Sequence, residues 1–339
     1  MTNTDRVMTW VRGSLARWEV FLLFVLVGTF LCGAQVSRYF LTTSNISIAL
    51  AGGMPTAIVA LPMTLIIVTG EIDISVGSIV GLCAALMAVC LEHGLPVEVA
   101  MLLGIVIGTL AGFINGLIVV YGALPSLVVT IGTLALYRGI AQIILNERGV
   151  SGFPQWYQDI GFGTIGPTPI PWSSLIFVLL FLGFAVFLHA THWGRALYAI
   201  GNNLGAVRFS GINVKRAILG VFITSGAMSS LAAIILTAYL ASARSDTATG
   251  LELPVITAVV LGGVNIFGGA GTMPGVLIAL LVLAFVQNAL GLAGVTPEEQ
   301  QIVTGSVLIM TLIVFGASDI VKKTRWTRWR SPGTRSTRD

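Results

Sequence analysis

Charged residues are scarce in this sequence, making up 9% of its 339 residues, whereas hydrophobic residues make up 55%. Soluble domains carry about 25% charged residues, so this chain has too little charge to cover a soluble globule. Apolar runs of about 20 residues recur between residues 20 and 317, and a helix of that length crosses a hydrocarbon core of ~30 Å. The scarcity of charge excludes a soluble enzyme and indicates a protein that crosses a membrane several times.

Lysine, histidine and cysteine are equally rare, and their positions exclude several kinds of chemistry. No lysine follows a glycine, so the phosphate-binding pattern G-x-x-x-x-G-K-[ST] is missing and we expect no ATP site on this chain. The histidines are scattered without an H-E-x-x-H pattern, and the cysteines lie inside apolar runs without metal-ligand spacing. We therefore predict no catalytic residue, no metal and no cofactor on this chain. The residues concerned are Lys215, Lys322, Lys323, His93, His189, His192, Cys32, Cys83 and Cys90.

Polar and Gly/Pro breaks divide the apolar sequence into ten segments, which predict an all-α polytopic membrane protein with about ten transmembrane helices. The first run follows three arginines, as a signal peptide would, but it lacks a small-residue cleavage site, so we expect a retained helix. The predicted spans are 19–37, 46–69, 77–92, 97–120, 125–146, 172–190, 215–240, 253–267, 273–293 and 300–317.

The basic residues predict the orientation, since Lys and Arg concentrate in cytoplasmic segments. Three of the 18 precede the first span, four lie in 191–216 and seven lie from Lys322 to Arg338. This distribution explains the net charge of +4 without nucleic acid, and it predicts that both termini are cytoplasmic. We expect a cytoplasmic N-terminus (1–18), a membrane domain (19–317) and a basic cytoplasmic tail (318–339).

The longest polar interruption is THWGRALYAIGNNLGAVRFSGINVKR, residues 191–216. Asn202 or Asn203 can cap a short helix there, and Gly211 can end it in the left-handed conformation. The enclosed Leu204–Ser210 is about two turns long, too short to be stable alone and suited to a partner's groove. We predict a cytoplasmic coupling loop whose contacts come from Gly201, Asn202, Ala206, Arg208, Ser210 and Gly211.

Two segments 192 residues apart resemble each other. Leu61-Pro62 opens LPMTLIIVTGEIDISVG and Leu253-Pro254 opens LPVITAVVLGGVNIFGG. At this offset Gly70 matches Gly262 and Asp73 matches Asn265. Paired Gly/Pro interruptions in two halves are typical of broken helices beside a transporter's pathway, so we predict two related halves with broken helices.

Several polar residues are candidates for the translocation pathway or a gate: Glu71, Asp73, Ser75, Asn265, Arg138 and Tyr137. The segment Glu71 to Ser75 admits a second interpretation, a structural turn in which Asp73 caps the next helix. Arg138 either reaches the interface or pairs with a carboxylate of a neighbouring span. Tyr137 shares a helix face with Thr130 and Thr133, which either contacts a polyol or bonds another helix.

Two further regions carry structural or surface predictions. Arg244 and Asp246 are charged residues at the predicted outer mouth. They either gate the pore or receive a partner, or they belong to a solvated loop. The outer loop 147–171 is predicted to expose Phe153, Trp156 and Tyr157. Glycines recur every fourth residue from 104 to 116, so we expect close helix packing beside Asn115.

Three motifs carry a resemblance to a known family. GRALYAIGNNLGAVRFSGINVKR resembles the cytoplasmic coupling segment of permease subunits of bacterial ABC sugar importers, of the ribose, xylose, autoinducer-2 and rhamnose type. TGEIDISVGSIVG and AVVLGGVNIFGGAGTMPG resemble the family's two other signatures, and together the similarity spans roughly residues 45–315. ASARSD (Ala241–Asp246) with the following LPVITAVVLGG is most similar to the autoinducer-2 import permeases, with the rhamnose permeases second.

The resemblance implies a subunit of the bacterial inner membrane with about ten spans. It implies as partners two cytoplasmic ATPases, a second permease that is a copy or a sister, and a periplasmic sugar-binding protein, with ATP held by the ATPases. Gly205, Val207 and Glu71 depart from the family's usual residues. Two other classes stay open from the residues alone: an ion-coupled sugar carrier that acts by itself, and an intramembrane enzyme.

Overall fold

The computed structural model describes residues 18–146 and 148–329, without the side chains of residues 208, 209 and 314–329. Most of the predicted N-terminal segment (1–17) and the end of the tail (330–339) therefore lie outside the described residues. In chain order the elements are α1 (Trp18–Val36), α2 (Thr43–Val68), α3 (Val76–Glu92), α4 (Val97–Gly122), α5 (Ser126–Leu145), β1 (Gly149–Ser151), α6 (Gln155–Phe162), α7 (Trp172–Ala190), α8 (His192–Asn202), α9 (Leu204–Phe209), α10 (Val214–Leu240), β2 (Ser242–Arg244), α11 (Glu252–Leu261), α12 (Met273–Leu292) and α13 (Pro297–Trp329).

The all-α prediction is confirmed, since the two strands have three residues each. Each of the ten predicted spans contains a helix, and seven helices of the described chain are long and apolar enough to cross a membrane. The predicted span 253–267 is wrong in its second half: α11 ends at Leu261 because Gly262 and Gly263 terminate it. The last helix continues to Trp329, beyond the predicted end at 317.

The two predicted halves share the geometry of their helix ends. At the end of α2, Gly70 N donates to Ile67 O and Glu71 N donates to Ile66 O. The end of α11 repeats this pattern around Gly263, and both glycines have positive φ, 83° and 89°. This is the Schellman ending, in which a left-handed glycine satisfies the last carbonyls of a helix. The structural offset is therefore 193, and the sequence pairing of Gly70 with Gly262 is wrong by one residue.

The offset between the halves grows along the chain. The first break, residues 69–75, has seven residues, whereas the second break, residues 262–272, has eleven. The helices that follow, α3 and α12, end in the same turn at Gly94 and Gly294, an offset of 200. A longer second break and a longer α12 account for the growth, so no fixed sequence offset can align both ends of the repeat.

The glycine stripe of α4 packs against α10. A Cβ at Gly108 would lie 2.6 Å from the Cβ of Ser230, and one at Gly112 would lie 2.9 Å from the backbone of Gly226. Only glycine lets the two backbones approach so closely. The predicted packing role of the stripe is confirmed.

The outer loop differs from its prediction. Trp156 is exposed, but Phe153 and Tyr157 are buried, and the Tyr157 hydroxyl donates to Ile234 O at 2.9 Å. The two aromatic rings stack on each other with centroids 5.1 Å apart. Helix α6 thus lies in the bundle beside α10, because its aromatic residues bury apolar area there. Strands β1 and β2 pair antiparallel in the same region.

Candidate functional site

The two helix breaks meet each other at the end of α8. Gly269 N, in the second break, donates to Val68 O at the end of α2, with a distance of 2.9 Å. Gly201 lies over this junction: a Cβ there would collide with Val68 O and Gly269 N. Gly201 is thus required by close backbone approach, and it joins the predicted coupling segment directly to both breaks.

Side chains of α8 and of the last turn of α7 bind the second break and the start of α12. Asn202 Nδ2 donates to Gly269 O at 3.0 Å, and the Tyr198 hydroxyl donates to Gly271 O at 2.7 Å. At the start of α12, Met273 N donates to His189 Nε2 at 3.2 Å. Each bond satisfies a backbone group freed by the interruption of the helix. A displacement of α8 must therefore move the second break or rupture these bonds.

Helix α9 is the short helix predicted in the coupling loop. Asn203, one of the two predicted caps, accepts a hydrogen bond from Ala206 N at 3.1 Å, and Gly211 has the predicted positive φ of 75°. Ser210 donates to Ala206 O at 3.2 Å. Val207 is buried while Ala206 and Ser210 are exposed, so one side of α9 anchors the helix and the other is free for a partner. The side chain of Arg208 lies outside the described residues.

Asp73 sits at the centre of a buried polar network. Its Oδ1 accepts hydrogen bonds from Ser75 N at 3.0 Å and Ser75 Oγ at 2.6 Å. Its Oδ2 accepts from Ser225 Oγ of α10 at 3.0 Å. Asn115 Nδ2 donates to Ser75 Oγ at 2.7 Å, and the Tyr137 hydroxyl donates to Asn115 Oδ1 at 3.1 Å. All five side chains are buried, so the network joins the first break to α4, α5 and α10.

The other polar candidates near the two breaks differ in how their side chains are bonded. Thr130 and Thr133 are buried and donate to backbone carbonyls, Thr130 to Ser126 O at 2.8 Å. Asn265 Oδ1 accepts from Phe267 N at 3.0 Å, which makes it a turn-forming residue of the second break. Glu71 is half-buried, and its side chain forms no hydrogen bond or ion pair within the described residues.

Arg138 anchors the segment between β2 and α11 inside the bundle. Its guanidinium donates to Thr247 O at 3.0 Å and to Ala248 O at 3.4 Å. The guanidinium thus binds backbone carbonyls, a contact that was not predicted. The two predicted roles, reaching the interface and pairing with a carboxylate of a neighbouring span, stay predictions. Glu252 lies within electrostatic range of Arg138, and its buried Oε2 has no hydrogen-bond partner in the described chain.

Arg244 and Asp246 form an exposed ion pair at the predicted outer mouth. Arg244 Nε lies 3.0 Å from Asp246 Oδ1, and both side chains are about two-thirds exposed. The hydrogen bond from Arg244 lowers the pKa of Asp246 below its ordinary value. The loop is not solvated throughout, since Ser245 and Thr247 are buried. Arg244, Asp246 and Thr249 are the exposed residues among 241–250.

A known family accounts for this arrangement. The family described as branched-chain amino acid transport system / permease component matches residues 45–312. The chain belongs to this family. The match covers both breaks and the coupling segment, and it confirms the resemblance carried by the three motifs: this is a multi-pass membrane permease subunit of the ABC importer type, a transport subunit and not an enzyme.

Curated relatives extend the similarity to nearly the whole chain. The autoinducer 2 import system permease protein LsrD of Escherichia coli (strain K12) is 35% identical over 318 residues, which cover 92% of this chain and 95% of that protein. LsrD of Shigella flexneri has the same identity and coverage. No solved structure matches this chain.

Sequence reasoning missed three residues of the site, namely Tyr198, His189 and Ser225. Tyr198 precedes Asn202 by one helical turn, so its position on the same face was a usable signal. Ser225 lies 152 residues from Asp73, and no local pattern connects them. His189 was considered only as a metal ligand or catalytic residue, and no H-E-x-x-H pattern contains it.

Proposed function

We propose that this chain forms the membrane pathway of an ATP-driven importer of a sugar or sugar-like solute, of the autoinducer-2 or rhamnose/pentose class. A periplasmic binding protein delivers the solute, two cytoplasmic ATPases supply the work, and a second permease, a copy or a sister, completes the pathway. The membrane is the bacterial inner membrane, with ten spans and both termini in the cytoplasm. The name of the LsrD relatives supports the solute class.

The observation that carries the mechanism is the contact of Gly201 with both helix breaks. ATPase movement acts on the exposed side of α9, and α8 transmits it through Asn202 and Tyr198 to the second break. Alternating access requires that these contacts differ in free energy between the outward and inward states. Gly201, Asn202, Ala206, Arg208, Ser210 and Gly211 form the coupling surface in this proposal.

The pathway candidates take different parts in this mechanism. Glu71 and Arg138 line or gate the pathway in this proposal, because both carry charge and both are only partly buried. Asp73, Ser75 and Tyr137 stabilise the helices that surround the pathway, since their polar atoms are hydrogen-bonded inside the protein. Asn265 shapes the second break, and Arg244 with Asp246 marks the outer mouth where the binding protein docks.

Reconstitution tests the proposal. The permease, its partner permease and the ATPase are placed in proteoliposomes, and uptake of labelled autoinducer-2, rhamnose and ribose is measured with and without ATP and binding protein. We expect uptake of one of these solutes only when all components are present. Uptake by the permease alone, driven by an ion gradient, would establish the ion-coupled carrier instead.

A matched pair of variants tests the coupling surface. Ala206→Asp places a charge on the exposed side of α9. Ala293→Asp places the same charge at the far end of α12, ~30 Å along that helix from its start beside the second break. We expect Ala206→Asp to abolish ATPase co-purification and Ala293→Asp to leave it intact. Equal co-purification of the two variants would exclude α9 as the ATPase contact.

A further inference from the structure

An apolar groove of about 530 Å³ lies between α2, α7, α8 and α10, and none of the site's candidate residues lines it. Its walls are hydrophobic except near its ends, where Arg216 and Thr224 contribute polar atoms. Trp193 of α8 borders the same end as Arg216. The groove therefore has an apolar body and one cationic, aromatic end.

The depth of the groove matches one leaflet of a membrane. Arg216 and Thr224 are eight residues apart on α10, which corresponds to ~12 Å along the helix axis. Half of a hydrocarbon core of ~30 Å is ~15 Å. A single acyl chain entering beside Arg216 would therefore run along most of the groove within one leaflet.

The groove opens onto a face that carries apolar side chains outward. On α7, Leu179 is 64% exposed and Leu182 is 54% exposed, and Leu179 also lines the groove. In a membrane such a face packs favourably against acyl chains, because apolar side chains are removed from water there. Lipid thus has direct lateral access to the groove.

The end of the groove at Arg216 is positively charged, which favours a lipid with an anionic headgroup. Arg216 is the last residue of the predicted coupling loop, which also contains Arg195 and Lys215, and residues 160–245 contain no Asp or Glu. The side chain of Arg216 is exposed and has no hydrogen-bond or ion-pair partner within the described chain. Basic pockets beside membrane helices bind the phosphates of anionic lipids, and tryptophan favours the same interface.

We propose that this groove binds an anionic phospholipid, with one acyl chain between α7 and α10 and the phosphate on Arg216. A second copy of the chain is a poorer occupant, since symmetric contact through this face would oppose two segments that both lack acidic residues. The bound lipid borders Trp193 and Leu197 of α8, so the site lies directly beside the helix that carries the coupling contacts. This inference stands independently of the transported solute.

Two glycines of the groove provide the test. A Cβ at Gly220 or at Gly183 meets no atom within 4 Å, so either backbone position accepts a side chain, and leucine there extends into the groove. Gly132 of α5 has the same open surroundings outside the groove, and Gly132→Leu controls for the added side chain. The full-length permease is purified, delipidated and titrated with phosphatidylglycerol or phosphatidylcholine, and bound lipid is counted by native mass spectrometry.

We expect Gly220→Leu and Gly183→Leu each to lower phosphatidylglycerol retention about tenfold, while Gly132→Leu retains it as the unmodified protein does. Arg216→Gln should remove the preference for phosphatidylglycerol over phosphatidylcholine. Equal retention by the groove variants and the control, or an unchanged headgroup preference in Arg216→Gln, would overturn the proposal. A loss of permease pairing without a loss of lipid in the groove variants would also overturn it, in favour of a protein interface.

Discussion

The helices before the two breaks end in the same turn, but the two breaks differ in length and in the side chains that bind them. The first break is short, and its Asp73 is bonded by side chains of the first break itself and of α10, all of them buried. The second break is longer, has glycines with positive φ at 263, 268, 269 and 271, and is bonded mainly by side chains of α8. One break is therefore part of the fixed core, and the other is held from outside, by the element that reaches the coupling surface.

The largest expected effect falls on the first break. Asp73→Ala leaves the hydroxyls of Ser75 and Ser225 without their acceptor in a buried site, and we expect the free energy of unfolding to fall by about 3 kcal/mol. Asp73→Asn is the matched control, because its amide oxygen still accepts hydrogen bonds, and it should recover most of the loss. Thermal unfolding in detergent measures both variants. Unchanged stability in Asp73→Ala would contradict the assignment of the first break to the fixed core.

The next effect is expected at the junction of α8 with both breaks. Gly201→Ala introduces a Cβ against the backbone of Val68 and Gly269, and backbone atoms cannot yield as a flexible side chain can. We expect ATP-driven uptake to fall about tenfold, equivalent to about 1.4 kcal/mol, with membrane insertion retained. Gly132→Ala, in open surroundings, should transport normally; similar uptake by the two variants would contradict the junction's role.

A smaller effect is expected from the hydrogen bonds that hold the second break. Tyr198→Phe removes only the hydroxyl that binds Gly271 O, and one such bond contributes about 1 kcal/mol. We expect uptake to fall a few-fold. The number of ATP molecules hydrolysed per solute imported should rise, because α8 then moves without moving the second break. The measurement is ATP hydrolysed per solute imported. A ratio that stays constant would show that the break moves independently of α8.

The smallest effect is expected at the outer mouth, which belongs to neither break. Because Arg244 lowers the pKa of Asp246, the pair stabilises the folded state above the ordinary carboxylate pKa and ceases to do so as pH falls through the lowered value. Exposed pairs contribute little, so Asp246→Asn should shift the acid end of the thermal stability profile only slightly. A shift as large as that of Asp73→Ala would show that the mouth is part of the core.

Sequence reasoning reached the helices and the coupling segment because both depend on local patterns. Apolar runs placed the helices, and Asn203 with Gly211 defined α9 through its cap and its left-handed end. The sequence does not reveal the tertiary partners of these residues. Arg138 binds carbonyls 109 and 110 residues away, and Ser225 donates a hydrogen bond to Asp73 from another helix. The repeat was recognised, but its offset was not, because the unequal lengths of the breaks shift the register.

The β1–β2 ribbon has a consequence for the assembly of the chain in the membrane. It pairs Gly149 with Arg244, and closing a loop of about 95 residues costs on the order of 4 kcal/mol of chain entropy. Strands of three residues are too short to offset that alone. We therefore expect the ribbon to form after the helices between its two strands have packed, so hydrogen exchange of its amide protons measures that step.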